Sequence, residues 1–172
     1  MIFLTVGTQF PFDRLVKAVD KTAGTNGFDE QIVAQIGESS YCPENFEAVT
    51  SVEKAIFDQY FSRADGIISH AGMGTITMAL DQRKPLLVMP RLKKYSEVVN
   101  DHQLAIAKKF EKLSYLLVAY NAEDVPVKMK RLKSFVPQER RPCPDVVAAH
   151  ISMFLNELSS KEGFIGKNKY LR

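Results

Sequence analysis

Cysteine is scarce in this chain of 172 residues, and tryptophan is absent from it. The two cysteines, Cys42 and Cys143, lie far apart and have no metal-ligand spacing around them. Neither a disulfide framework nor a cysteine-based metal site is therefore indicated. Two unpaired cysteines are typical of a protein in a reducing compartment, so we expect a cytoplasmic protein.

Long apolar runs are missing as well. None approaches the roughly 18–20 residues that a membrane-spanning helix requires. The apolar segment at residues 1–6 lacks the basic leader of a signal peptide and is too short for one. With 45% hydrophobic and 25% charged residues, the chain is typical of a soluble globular domain that can bury a substantial core.

Charge of one sign is in slight excess, because the formal net charge is +3. The aromatic residues that interleave with basic ones in a single-strand nucleic-acid groove are missing, so we expect no nucleic-acid partner. Basic residues nevertheless crowd two stretches, which form either a solvated face or a surface for an anionic membrane or an acidic partner. They are Lys128, Lys130, Arg131, Lys133, Arg140 and Arg141 in the first stretch, and Lys161, Lys167, Lys169 and Arg172 in the second.

Apolar segments of strand length alternate with segments of helical periodicity. This alternation predicts an α/β fold with a doubly wound, Rossmann-like parallel sheet of about six strands. The predicted strands are residues 2–6, 31–36, 46–49, 66–69, 86–89 and 114–119, and the predicted helices lie around residues 12–19, 56–61, 75–82, 104–113 and 123–134.

We expect residues 1–160 to form this domain and residues 161–172 to form a basic, flexible tail. A closing helix carries an apolar stripe, which we place in the core, with docking of a partner subunit as the alternative. The stripe consists of Val147, Ile151, Phe154 and Leu158.

The most informative segment is the turn at residues 69–75, between an apolar strand and a helix. Its two glycines, Gly72 and Gly74, bring bare backbone N–H groups together at the positive end of the helix dipole, which is an arrangement that binds phosphate. His70, at the rim of the turn, has a side chain that can donate a hydrogen bond. The structural alternatives are a capping role for His70 and close helix–strand packing for the glycines.

In a doubly wound sheet, ligands bind outside the carboxyl ends of the strands. Four loops are predicted to meet there, namely residues 7–9, 35–38, 70–75 and 90–103. A dinucleotide is the competing ligand, but its G-x-G-x-x-G pattern needs a third small residue where Thr77 stands, and the first turn has Gly7 alone. No phosphate-loop lysine follows either turn.

These motifs resemble the C-terminal domain of glycosyltransferase family 28. That domain carries a strand, a His-Ala-Gly-x-Gly-Ser/Thr turn and a helix, followed by a proline-bounded strand and a His-Gln pair. Residues 70–75, 84–91 and 101–103 match these motifs in order, and residues 3–16 look like the start of such a domain. More narrowly, residues 1–155 resemble the small subunit of two-part exopolysaccharide glycosyltransferases (PssE type).

The resemblance implies the donor-binding half of a GT-B glycosyltransferase. The glycine turn and residues 7–9 would hold the diphosphate of a UDP-sugar, residues 35–38 would lie near the uracil and ribose, and residues 101–103 would bind the sugar. His70 is the predicted catalytic residue, because it would hydrogen-bond the phosphate or sugar as the glycosidic bond breaks. The predicted substrate-binding residues are Gly7, Thr8, Gln9, Gln35, Gly37, Ala71, Gly72, Met73, Gly74, Thr75, Arg91, Asp101, His102 and Gln103.

The predicted function is therefore that of the donor-binding, catalytic subunit of an inverting glycosyltransferase in exopolysaccharide or capsule synthesis. It would move a hexose from a UDP-sugar to a lipid-linked saccharide acceptor. Oriented amides would stabilise the leaving diphosphate, so neither a metal nor another cofactor is expected. A membrane-anchored partner subunit would bind the acceptor, supply the general base and recruit the chain to the inner face of the membrane.

Two alternatives stay open: a related subunit that transfers N-acetylglucosamine to a dolichol-linked acceptor, and a non-catalytic, regulatory protein that binds nucleotide-sugars. Met78 departs from the family pattern, because related bacterial enzymes have a glutamate there that holds both ribose hydroxyls. Arg91, Lys93 and Lys94 are more simply interpreted as solvated than as phosphate ligands, and His102 and His150 as polar helix residues.

Overall fold

The computed structural model describes residues 1–139, 145, 148, 149 and 151–157. Six strands pair in parallel in the order β3-β2-β1-β4-β5-β6, which confirms the predicted doubly wound, Rossmann-like sheet. The strands are β1 (Ile2–Thr5), β2 (Ile32–Gln35), β3 (Glu47–Val49), β4 (Gly66–His70), β5 (Leu86–Met89) and β6 (Leu117–Val118).

Helices connect the strands and cover both faces of the sheet. In the part of the chain up to residue 139 they are α1 (Asp13–Ala23), α2 (Lys54–Arg63), α3 (Met73–Asp81), α4 (His102–Lys112) and α5 (Val125–Leu132). Two short 3-10 helices lie at Lys93–Tyr95 and Ala122–Asp124.

The core forms two apolar layers, because successive side chains of a strand point to opposite faces. Leu4 of β1 packs with Val19 of α1 and Met129 of α5. Its neighbour Phe3 packs on the other face, where α2, α3 and α4 contribute Phe61, Ile76, Ala107 and further buried residues. Each large apolar side chain that is fully buried in this way contributes about 1.5–3 kcal/mol to stability.

The last strand and the helix that follows it differ from their predicted bounds. The strand predicted at residues 114–119 is reduced to β6, because Ser114 has a φ of 55° and completes the turn after α4. The helix predicted at residues 123–134 is divided into a 3-10 turn and α5. Pro126 lies in the first turn of α5, where it lacks a donor and restricts the residue before it.

The sheet reverses its winding between β1 and β4, which lie side by side. At their carboxyl ends, Thr5 of β1 is in register with Gln35 of β2 on one side and Ser69 of β4 on the other. These register partners face the same side of the sheet, and all three are buried. The crevice predicted to bind a ligand therefore opens above a buried polar row.

The chain divides into two units, Met1–Arg140 and Arg141–Arg172. In the second unit residues 151–157 are helical. Ile151 and Phe154, which were predicted to lie in the core, are 54% and 59% exposed, and neither belongs to the two apolar layers. Val147, Leu158 and the predicted tail lie outside the described residues. Within the residues that are described, no helix is both long enough and apolar enough to cross a membrane.

Candidate functional site

Helix α3 begins with its positive end open. Gly72 is the N-cap residue and has no side chain to cap with, and no acidic residue lies in the first turn. The Ile76 N–H donates to the Gly72 oxygen at 3.1 Å, whereas the N–H groups of Met73, Gly74 and Thr75 make no hydrogen bond within the described residues. Three free N–H donors at the positive end of a helix dipole form a site for an anion.

His70, the last residue of β4, fills the space between two glycines. A Cβ atom on Gly72 would lie 2.2 Å from the Nε2 of His70, and one on Gly7 would lie 2.9 Å from its Cε1. A Cβ on Gly74 would meet nothing within 4 Å. Close packing therefore explains Gly72, but it does not explain why residue 74 is a glycine.

The hydrogen bonds around His70 assign its tautomer. The Ser69 hydroxyl donates to the Thr5 oxygen at 2.7 Å, so its oxygen is left to accept from the His70 Nδ1, 3.3 Å away. The lone pair of the neutral ring then lies on Nε2. Burial, and secondarily the charge of Arg91, lowers the pKa of His70 to about 4. At neutral pH the ring is uncharged, and Nε2 can accept a hydrogen bond or a proton.

The loop after β1 lies against the same ring, and the loop after β2 lies against the loop after β1. Gly7 has a φ of +76°, a left-handed conformation that glycine adopts without strain. A Cβ on Gly37 would lie 3.2 Å from the Gly7 oxygen. Thr8 and Gln9 are exposed at the tip of the first loop. Three of the four predicted loops therefore converge around His70.

Gln35 is buried in the sheet instead of projecting into the second loop. Its side chain is 4% exposed, and its Oε1 has no hydrogen-bond partner. It lies in the polar row with Thr5 and Ser69. Its proposed proximity to a uracil stays a prediction, and its free oxygen is the only acceptor that it offers.

Arg91 shows that the solvated interpretation was wrong at this position. The residue is only 3% exposed, whereas Lys93 and Lys94 are exposed as expected. The Nη2 of Arg91 donates to the Val6 oxygen at 2.8 Å and to the Phe10 oxygen. A guanidinium can be buried here because backbone carbonyls of the first loop accept its protons.

The fourth loop joins the site through Gln103. Its Oε1 accepts the Arg91 N–H at 3.1 Å, so the amide nitrogen of Gln103 is the group left for a ligand. Asp101 accepts the Lys93 N–H at 2.7 Å, and His102 contacts Asn100 at 2.6 Å. The structure thus links Gln103 to the site and leaves Asp101 and His102 exposed in local loop contacts.

An arginine that the sequence interpretation missed fixes the fourth loop against α1. The Nε and Nη2 of Arg14 bind the two carboxylate oxygens of Glu97, each at 2.8 Å, and Nη2 also donates to the Pro90 oxygen at 2.9 Å. Glu97 in turn accepts the Leu92 N–H at 2.9 Å. The pair is separated by 83 positions, so no local pattern could have indicated it.

The described residues contain no group of three or more His, Cys, Asp or Glu side chains placed to hold a metal ion. The basic stretch is partly neutralised within the chain, because Lys133 bonds Glu30 at 2.7 Å and Lys128 lies 3.6 Å from Glu111. Free N–H groups and a buried guanidinium make the crevice electropositive. The arrangement can bind an anion and stabilise negative charge that develops on it.

A parallel sheet of this order, with a glycine turn and an open helix at its switch point, has the architecture of the donor-binding half of a GT-B glycosyltransferase. Residues 1–142 match the glycosyltransferase family 28 C-terminal domain. The chain belongs to that family.

Relatives that are similar in sequence share the description "UDP-N-acetylglucosamine transferase subunit ALG13". The UDP-N-acetylglucosamine transferase subunit ALG13 of Homo sapiens is 32% identical over 128 residues, which are 67% of this chain and 10% of the human protein. The protein of that name from Candida albicans is 42% identical over 60 residues, or 35% of this chain and 19% of its own length. The chain thus spans a minor part of these relatives.

Solved structures show the same fold. The crystal structure of Acinetobacter baumannii MurG has a TM-score of 0.59 at 19% identity and covers 78% of this chain and 42% of MurG. An NMR structure of ALG13 has a TM-score of 0.55 at 19% identity and covers 79% of this chain and 87% of that one.

Proposed function

We propose that this chain is the donor-binding, catalytic subunit of an inverting glycosyltransferase that uses a UDP-sugar. The observation that carries the proposal is the open N-terminus of α3, with its three free N–H groups beside His70. It is supported by family membership and by relatives described as transferase subunits.

N-acetylglucosamine is the sugar that the comparisons favour. The relatives are described as UDP-N-acetylglucosamine transferase subunits. The order of the two candidates is therefore reversed, because the motifs in the sequence had favoured hexose transfer in exopolysaccharide synthesis over transfer of N-acetylglucosamine. We keep hexose transfer as the second candidate, on the resemblance of residues 1–155 alone.

In the proposed mechanism the diphosphate of the donor lies on the N–H groups of residues 73–75. As the bond to the anomeric carbon breaks, negative charge grows on the departing UDP, and these donors stabilise it without having to reorganise. The neutral Nε2 of His70 would accept a hydrogen bond from a hydroxyl group of the sugar as the bond breaks. The amide nitrogen of Gln103 would donate to a sugar hydroxyl.

The ribose would be held without a carboxylate at position 78 of α3. Met78 packs, partly buried, against the apolar layer of Phe3 and Ile76, and its thioether is only a weak acceptor. Backbone groups of the second loop, at residues 36–38, are the proposed substitute.

A second protein would complete the enzyme. The relatives are described as subunits, and the general base and the acceptor site are assigned in this proposal to a membrane-anchored partner. The acceptor would be a lipid-linked saccharide at the inner face of the membrane. Exposed basic residues that have no ion pair among the described residues, such as Lys130, would face that partner or the anionic leaflet.

The test is UDP release, measured with UDP-N-acetylglucosamine, UDP-glucose, UDP-galactose and UDP-glucuronic acid. Each donor is assayed with the chain alone and with a co-expressed membrane protein that carries one apolar helix and a Rossmann-like domain. We expect turnover of UDP-N-acetylglucosamine only when the partner and a polyprenyl-linked acceptor are present.

Preference for a hexose donor would replace the sugar assignment with the second candidate. Turnover by the chain alone, on water or a soluble sugar, would contradict the subunit proposal. UDP binding without turnover in any pairing would favour the regulatory alternative.

A further inference from the structure

Arg91 reaches past the end of β4 to the first loop. It follows β5, yet its Nη2 donates to the Val6 oxygen at 2.8 Å and to the Phe10 oxygen. These two carbonyls stand on either side of residues 7–9, the loop whose Gly7 contacts His70. One guanidinium nitrogen thus ties together both ends of the loop.

The charge of Arg91 is not neutralised by an acid. Among the described residues, no carboxylate lies within salt-bridge distance of its guanidinium. Glu97 is near enough to favour the charged form of Arg91, but both of its carboxylate oxygens are already bound by Arg14. Burial lowers the pKa of Arg91 to about 10, which leaves it charged at neutral pH. A buried cation without a counter-ion is unusual, because burial of a charge is costly unless an opposite charge compensates it.

Packing does not account for this arrangement by itself. The centroid of the Phe12 ring lies 5.1 Å from the guanidinium of Arg91 and 5.3 Å from that of Arg14. That contact explains how the side chain is seated. It does not account for the Nε of Arg91, which is buried and has no hydrogen-bond partner among the described residues.

We propose that Arg91 is a positioning residue for the anionic part of the ligand: it holds residues 7–9 in the shape that receives a nucleoside diphosphate, and its uncompensated charge adds to the attraction for that group. This inference rests on the proposed function, since the ligand is the UDP moiety of the donor. Arg91 acts through the loop and through its field, and it does not need to touch the phosphates.

The experiment is calorimetric titration of the full chain with UDP and with uridine. Arg91→Met removes the charge and the donors but keeps an apolar stem, whereas Arg91→Gln removes the charge and keeps one amide donor on a shorter side chain. Arg91→Lys keeps the charge. Lys93→Met is the matched control, because it removes an exposed charge two positions away.

We expect Arg91→Met and Arg91→Gln to weaken UDP binding by about tenfold or more and uridine binding much less, because only UDP carries the charge that Arg91 attracts. Arg91→Lys should recover part of the UDP affinity, and Lys93→Met should keep it within about twofold. The pKa of His70, followed by NMR, should rise in the two uncharged variants and stay low in Arg91→Lys.

Wild-type affinity for UDP in folded Arg91→Gln or Arg91→Met would overturn this inference and leave the proposed function standing. An equal loss for UDP and uridine, with no change in the pKa of His70, would also overturn it, because it would show a merely structural residue. If the wild-type chain bound no UDP, the proposed function would fail, and this inference would fail with it. Should Arg91→Met not fold, Arg91→Gln and Arg91→Lys decide.

Discussion

Helices α1 and α3 start at the same edge of the sheet, but their first turns differ in charge. In α1 the first turn carries Asp13, whose carboxylate accepts hydrogen bonds from the Ser39 hydroxyl at 2.5 Å and from the Ser40 N–H at 3.2 Å. The dipole of α1 therefore meets a negative charge supplied by the chain itself.

The first turn of α3 contains no acid, and its N-cap is Gly72. Nothing in the described part of the chain bonds to the N–H groups of the three residues that follow. This difference indicates where an anion belongs, because the chain supplies a carboxylate to the first turn of α1 and none to the first turn of α3. It also gives a local reason why an anion would bind after β4 and not after β1.

Making α3 resemble α1 should have the largest effect. Met73→Asp places a carboxylate at the position that Asp13 occupies in α1. By the helix-dipole rule it should stabilise the folded chain by about 0.3–1 kcal/mol. The same charge should repel a diphosphate, and we expect UDP affinity to fall on the order of 100-fold.

Met73→Asn is the control, since it has nearly the same shape as the aspartate and no charge. It should bind UDP within a few fold of wild type. Calorimetric titration gives the affinities, and urea unfolding gives the stability. Equal affinities for the Asp and Asn variants would break the comparison, because the charge at this helix end would then not matter to the ligand.

Lowering the pH should affect the stability contributed by the two turns differently, and this effect is smaller than that of Met73→Asp on UDP affinity. Because the pKa of His70 falls from 6.5 to about 4 in the folded chain, the unfolded chain takes up the proton first as the pH drops. Stability should therefore be lost between pH 6.5 and 4, by about 2 kcal/mol at pH 5. His70→Gln should remove that loss.

Asp13 should behave differently. Burial tends to raise its pKa, but hydrogen bonds from Ser39 and Ser40 outweigh burial and hold the pKa below 3.8. Its contribution to stability is present above pH 3.8 and is lost as the pH falls through the lowered pKa. Asp13→Asn should leave the loss from pH 6.5 to 4 in place, as urea unfolding at pH 7 and pH 5 would show. A pH profile of His70→Gln that matched wild type would contradict the assignment of a buried, neutral ring.

Much of the fold could be predicted because it depends on local patterns. Alternation of apolar segments and glycine-ended strands is a short-range property, and the strand at residues 86–89 was predicted with its observed bounds. The length of the last strand was overestimated because Ser114 takes a left-handed conformation, which the residue type does not predict. The stripe with Ile151 and Phe154 had helical periodicity, but periodicity cannot tell a core face from an exposed one.

The site was predictable in its loops and not in its side-chain roles. The turn at residues 70–75 has a local motif, so its place at the end of β4 followed from the sequence. Arg91 was misjudged because a lone arginine beside lysines is typical of solvent, and its burial depends on carbonyls of residues 6 and 10, about eighty positions away. The tautomer of His70 likewise depends on the Thr5 oxygen, 64 positions from Ser69.

The central claim is that the space above Gly74 holds the diphosphate of a donor. The most direct test is the UDP affinity of Gly74→Ala, measured together with its stability. An added methyl would meet nothing within 4 Å in the free protein, and alanine in place of glycine inside a helix stabilises by roughly 0.5–1 kcal/mol. We expect the variant to be at least as stable as wild type and its UDP affinity to fall by about thirtyfold or more, because the methyl occupies the ligand's place. Wild-type affinity in this variant would contradict the claim.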